Sequence, residues 1–159
     1  TGRSPADVGW MLAPLGMGML GAFICMGSLT DRLGYRVVAV CSALLASAGM
    51  CLFILLPDIP SLTTLPMLAL LMVGAGQGAI GVPSTTAAYT ALEKKRLPMA
   101  ATTLNVVQRL GGPVMATVCA HLLAWRLALE PLSTGPYLHS LWMLVLLHAL
   151  CSLSAVRLK

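Results

Sequence analysis

The sequence predicts an all-α protein that crosses a membrane several times. Three observations carry that prediction. Only 9% of the 159 residues are charged, against roughly 25% in soluble domains. Hydrophobic residues make up 58% of the chain, and the mean hydropathy is +0.88. The apolar residues also come in continuous runs of about twenty, the length a helix needs to cross a hydrocarbon core. A net charge of +5 in a soluble domain would hint at nucleic acid. Here it is read through where the charges sit relative to the membrane, so the expected surroundings are a lipid bilayer and not nucleic acid.

Five spans are predicted, at about 8–29, 37–56, 62–89, 98–125 and 138–156, in one transmembrane domain covering 1–159. The first span runs from Val8 to Leu29 and ends at a charged loop, Asp31 to Tyr35. The second is bounded by Pro57-Asp58-Ile59-Pro60, whose prolines cannot continue a helix. The third is long and rich in glycine, and ends before Glu93-Lys94-Lys95-Arg96. The fourth runs from Pro98 to Trp125, and Glu130 to Tyr137, with Pro131, Gly135 and Pro136, separates it from the fifth. Pro14 and Pro113 are candidate kinks. No basic segment precedes the first run, so no signal peptide is read there.

Orientation follows from the loop cations. Arg32, Arg36, Lys94, Lys95, Arg96, Arg157 and Lys159 fall on one side, Arg3 and Arg126 on the other. The positive-inside rule makes the first side cytoplasmic, with the N-terminus outside and the C-terminus inside. An outside start at Thr1 with so short a polar lead is most simply explained by at least one further span upstream.

The loop Gly27 to Arg36, GSLTDRLGYR, concentrates charge in a chain that has little. Gly27 would let two helices approach closely. Asp31 would cap the second helix and meet its positive dipole end. Arg32 and Arg36 would hold the loop in the cytosol and pair with Asp31 or a helix end, and Gly34 would permit the tight reversal. Positive-inside bias alone would account for the arginines but not for this order of glycine, aspartate and arginine.

That order resembles the signature loop of the major facilitator superfamily, roughly G-x-L-x-D-R-x-G-x-R, here Gly27, Leu29, Asp31, Arg32, Gly34 and Arg36. In that superfamily the loop acts as a latch whose charges pair across two halves of the transporter. MAATTLNVVQRLGGPVMATV, Met99 to Val118, resembles the later part of EmrB/QacA-type transporters, fourteen-span drug:proton antiporters. The matching residues are Asn105, Gln108-Arg109 and Leu110-Gly111-Gly112, with Gln before Arg where the family more often has the reverse. VGAGQGAIGVPSTTA and GWMLAPLGMGML are similar to the family's preceding helices. The resemblance implies five transmembrane helices from the C-terminal half of a major-facilitator fold. It further implies proton-coupled efflux of amphipathic or cationic compounds from the inner membrane, with protons and a small molecule as partners. The N-terminal half would be missing, and this chain alone would be incomplete.

The polar residues inside the spans are the candidate substrate path. Arg109 lies about twelve residues into the fourth span, where a charge costs roughly 2.5–3.5 kcal/mol on insertion scales. Asn105 shares its helical face and Gln108 points about 100° away. Together they would line a cavity, or Arg109 would be a structural pin on backbone carbonyls. Gln77, between two glycines, is either a cavity residue or a polar bridge between packed helices. His148, with Leu144 and Ser152 on its face, is a candidate proton carrier by its titration range, against the plainer reading of a hydrogen-bonded packing residue.

Ladders of small residues, Gly74/Gly78, Gly112/Ala116/Ala120/Ala124 and Ala39/Ala43/Ser47, are expected to bring helix backbones into contact. Cys25, Cys41, Cys51, Cys119 and Cys151 are expected to be small packing residues, without metal-ligand spacing. GAGQGAIG has no strand or βαβ unit around it and is read as helix packing, not nucleotide binding. No catalytic grouping, metal or cofactor is expected, and the chain is read as a non-enzyme. The alternatives are a metabolite or sugar permease of the same superfamily, for which eight aromatics (three Trp, three Tyr, two Phe) are few, and a non-transporting membrane interaction protein or remnant.

Overall fold

The computed structural model describes residues 4–56, 64–129 and 135–157. Five helices long and apolar enough to cross a membrane account for almost all of them. They are α1 (Pro5–Leu33), α2 (Tyr35–Leu55), α3 (Thr64–Thr90), α4 (Leu97–Leu129) and α5 (Gly135–Val156), with one 3-10 turn at Lys94–Arg96 before α4. The fold is all-α, as expected. The predicted turn Pro57–Pro60, the residues Glu130 and Pro131, and the cations Arg3 and Lys159 lie outside the described residues.

The helix starts follow ordinary capping chemistry. Ser4 caps α1: its Oγ accepts from the Asp7 backbone N–H at 3.2 Å, and the Asp7 carboxylate accepts from the Ser4 N–H at 3.2 Å. This reciprocal box satisfies two donors that a helix N-terminus leaves open. Pro14, Pro83 and Pro113 all sit inside continuous helices. Membrane helices tolerate such prolines where neighbouring groups re-satisfy the freed backbone.

The core is built on α3, which lies against both α1 and α2; α2 also packs against α5. The reason is visible in the glycines. A Cβ on Gly74 would run into the Leu15 carbonyl, and one on Gly76 would come within 2.5 Å of the Ala46 amide nitrogen and 2.6 Å of the Ser42 carbonyl. Backbone meets backbone at these points, a contact only glycine allows. Gly74 thus meets α1 and Gly76 meets α2, where Ala39, Ala43 and Ala46 are buried. The expected ladders on α2 and α3 therefore do pack. Met50, Ile54 and Val73 form a buried apolar cluster, against which Leu15 of α1 and Leu141, Leu144 and Val145 of α5 lie.

α4 behaves differently. None of its described residues is buried. It meets α3 around a small cleft lined by Tyr89, Leu92, Met99, Leu104 and Val107, and it touches α5 sparingly. Residues 105 to 114 are exposed without exception. The ladder Gly112/Ala116/Ala120/Ala124 is exposed at all four positions, with no atom within 4 Å of a Cβ built on Gly112. The expected contact is not made among the described residues, because no described helix lies on that face. The cysteine expectation is also corrected: all five are free, none is buried, and Cys25, Cys41 and Cys151 are exposed. Their apolar side chains face outward, where lipid is as suitable a neighbour as protein.

Candidate functional site

The charged loop shrinks to one residue. α1 continues through Asp31 and Arg32 to Leu33, and α2 begins at Tyr35. Gly34 alone makes the joint, at φ 81° and ψ 148°, a backbone region occupied almost only by glycine. Its N–H donates to the Thr30 carbonyl at 2.9 Å, and its own carbonyl accepts from the Val38 N–H at 3.3 Å. The tight reversal expected of Gly34 is present.

Two other expectations for this segment are overturned. Asp31 does not cap α2: it sits in the last turn of α1, and Gly34 is the cap residue of α2 with no side-chain hydrogen bond there. The helix runs one turn further than the charges suggested, because a residue in the last turn still makes its intrahelical bonds. Gly27 brings no helix close, since a Cβ there would have no atom within 4 Å. Arg32 lies in the last turn of α1, where a cation meets the negative end of the helix dipole. Asp31, Arg32 and Arg36 are exposed, and none forms an ion pair among the described residues. Beside them Thr30 is buried, and its Oγ1 has no hydrogen-bond partner in the described structure.

The polar residues of the spans fall into two separate groups. Gln77 and His148 come together, with Gln77 Nε2 lying 3.5 Å from His148 Nε2. The other ring nitrogen, Nδ1, lies 2.7 Å from the Leu144 carbonyl. A carbonyl only accepts, so Nδ1 carries the proton, and in the neutral ring Nε2 accepts from the Gln77 amide. His148 is half-buried and Gln77 exposed. Each residue was picked out by sequence as a polar group in an apolar run, but nothing in the sequence linked them.

Asn105, Gln108 and Arg109 form the second group on α4. The Asn105 side-chain N–H donates to the Ala101 carbonyl at 2.9 Å, back along its own helix. Gln108 and Arg109 have no hydrogen bond or ion pair among the described residues. All three are exposed. The structure keeps them on one helix, as their spacing requires, and does not bring Gln77 to them.

Five apolar helices, a glycine-built core and the Gly27–Arg36 segment can be compared with known families. A family model described as Major Facilitator Superfamily matches residues 1–147. The chain belongs to that superfamily. No curated protein and no solved structure matches it. As a major facilitator superfamily member it is a multi-pass membrane transporter, and such proteins carry small molecules across membranes. The arrangement suits that work: backbone-to-backbone contacts tie α1, α2 and α3 into one block, and α4 presents a polar stripe that none of the described helices covers.

Proposed function

We propose that this chain is the C-terminal part of a proton-coupled exporter of amphipathic or cationic compounds, and that another half of the transporter covers α4. The observation that carries this reading is the position of Arg109. It lies mid-way along an apolar helix in a stretch exposed from 105 to 114, and it has no hydrogen bond or ion pair among the described residues. A guanidinium at that depth does not face lipid tails. It needs a water-filled path, an anionic group or a facing helix. Asn105 stands four residues away on the same face, so one wall of a path would carry an amide and a cation together. The small-residue ladder from Gly112 to Ala124 would let a facing helix approach and slide.

In this reading the Gly27–Arg36 segment is the latch. Asp31, Arg32 and Arg36 form no ion pair among the described residues, and in this reading they pair with the opposite half when the cytoplasmic side is closed. The N-terminus lies outside and the C-terminus in the cytoplasm of a cell's inner membrane. His148, held by Gln77, is a candidate for carrying the coupled proton. The drug:proton antiporter branch is supported by the Asn105, Gln108-Arg109, Leu110-Gly111-Gly112 pattern.

The test is transport by the protein as its full open reading frame encodes it. Everted membrane vesicles should acidify, then release part of the gradient on addition of a lipophilic cation, and Arg109→Leu should abolish that release. A gradient insensitive to lipophilic cations but discharged by sugars or small metabolites would replace the export reading with a permease reading. A cysteine at Asn105 that stays unreactive to water-soluble maleimides in every state would remove Asn105 from the path.

A further inference from the structure

We propose that Gln77 is the positioning residue for proton exchange at His148: its amide turns over when the ring gains a proton, so the ring stays hydrogen-bonded in both protonation states. The proposal rests on the reading of His148 as carrier of the coupled proton and adds the group that serves it.

The ring exchanges a proton at one nitrogen. Nδ1 is tied to the Leu144 carbonyl of its own helix at 2.7 Å. That carbonyl only accepts, so Nδ1 keeps its hydrogen in either state. Nε2 is the nitrogen that gains and loses one, and it lies 3.5 Å from the Gln77 Nε2. His148 is half-buried and Gln77 exposed, so of the two side chains the amide is the one at the open surface.

The two states need opposite partners. A neutral ring presents a lone pair at Nε2 and takes a donor; a charged ring presents an N–H and takes an acceptor. A Lys or Arg would serve only the first state, an ionised carboxylate only the second. A primary amide carries a donor and an acceptor of nearly the same shape. Half a turn about its last torsion exchanges them, and in Gln that torsion is broad and roughly two-fold. The Gln77 amide is held by nothing but the ring among the described residues. At 3.5 Å the bond is longer than the ~2.7–3.2 Å of a strong one, so little is lost while the amide turns.

No anion on the surrounding helices takes the amide's place. α5 packs against α2 and α4. α2 carries Tyr35, Arg36, Cys41 and Cys51, α4 carries Arg109, Cys119, His121 and Arg126, α3 adds Tyr89, and α5 itself holds Tyr137, His139 and Cys151. None of these is a carboxylate, so the acceptor for the charged ring is a neutral group, and the Gln77 oxygen is at hand. A hydronium ion gives its proton to the Nε2 lone pair and becomes water; the amide turns, and the new N–H donates to Oε1. On release a water takes the proton, and the amide N–H donates to Nε2 again.

The protein encoded by the full reading frame, isotope-labelled on nitrogen and placed in lipid vesicles, is read by solid-state NMR. Ring signals that vanish in His148→Gln are those of His148. In the neutral ring Nδ1 should carry the hydrogen, with Nε2 in contact with the Gln77 amide hydrogens. On acidification Nε2 should gain its hydrogen and keep contact with residue 77, now through the carbonyl. Gln77→Glu, acceptor-only when ionised, should keep both ring hydrogens at the pH where the parent ring holds one. Its export should fall about tenfold or more, because release must then break a charged hydrogen bond, with affinity for tetraphenylphosphonium in detergent unchanged. A neutral ring protonated on Nε2 overturns the proposal. So does a charged ring whose Nε2 hydrogen has no contact with residue 77, or a ring that stays neutral at every pH where the protein is folded. If Gln77→Glu does not fold, the two parent states still decide, since both contacts are read in the unaltered protein. A His148→Gln protein that still couples export to protons overturns the underlying reading and the proposal with it; wrong contacts in a protein whose coupling is lost with His148→Gln overturn the proposal alone.

Discussion

Gln77 on α3 and His148 on α5 meet side chain to side chain at 3.5 Å, 71 positions apart in the chain. α3 and α5 have no close backbone contact of their own, and α2 packs against both. The pair is therefore a polar reach between two helices held apart by a third. The ring is oriented at its far side by the Leu144 carbonyl, 2.7 Å from Nδ1, so its free nitrogen is aimed at the amide.

That pair should couple energetically. A double-mutant cycle with Gln77→Leu and His148→Leu, read by denaturant or thermal unfolding in detergent, is expected to give about 0.6 kcal/mol and at most ~1.7 kcal/mol, the range for hydrogen bonds between membrane helices. Strictly additive single losses would mean the two residues do not work as a pair.

Gly34 and Gly27 both belong to the charged segment, and substitution should separate them. Gly34→Ala forces a Cβ into a backbone region reserved for glycine and is expected to cost ~1–3 kcal/mol. Gly27→Ala meets no atom within 4 Å and lies inside α1, so it should be neutral or stabilising by up to ~1 kcal/mol. Melting temperatures of the two variants, measured side by side, check this. Transport by Gly27→Ala reports separately on whether that glycine faces another half.

The α1–α3–α2 block should be intolerant of added methyl groups. Gly74→Ala and Gly76→Ala each push a Cβ into backbone of a neighbouring helix, and overpacking of this kind costs at least ~1–3 kcal/mol. Gly81→Ala, on the same helix with open space around it, should behave like the parent. Equal folded yields of all three would mean that the block is not packed backbone to backbone.

Arg109 should matter to transport and not to folding of these helices. It makes no hydrogen bond or ion pair among the described residues, so Arg109→Leu should leave the melting temperature of the chain unchanged or raised. If the guanidinium holds a charged hydrogen bond in the working protein, worth ~1.5–3 kcal/mol, transport should fall by roughly ten- to a hundredfold. Arg109→Lys should fall nearly as far if two donors are used at once. A variant that transports normally would place Arg109 outside the path.

Most of the architecture was already legible in the sequence. Apolar run length sets the number of helices, because a bilayer leaves backbone groups no partner but their own helix. The boundaries moved most at Asp31–Leu33, where charges were read as loop: a helix emerging from the membrane carries its last polar turn with it. The Gly34 joint was legible, since a glycine between two apolar runs is the residue that can reverse them.

Pairing was decided only by the tertiary structure. Gln77 and His148 each looked unusual alone, but which polar group faces which depends on how three helices rotate against one another. The ladders show the same limit. Ala39/Ala43 and Gly74/Gly78 are buried in helix contacts, while Gly112/Ala116/Ala120/Ala124 has the same spacing and lies open. Small residues at every fourth position permit a close contact but do not name the partner. The sequence by itself determined which backbones can come together, and the packing of α1, α2 and α5 around α3 decided which of them do.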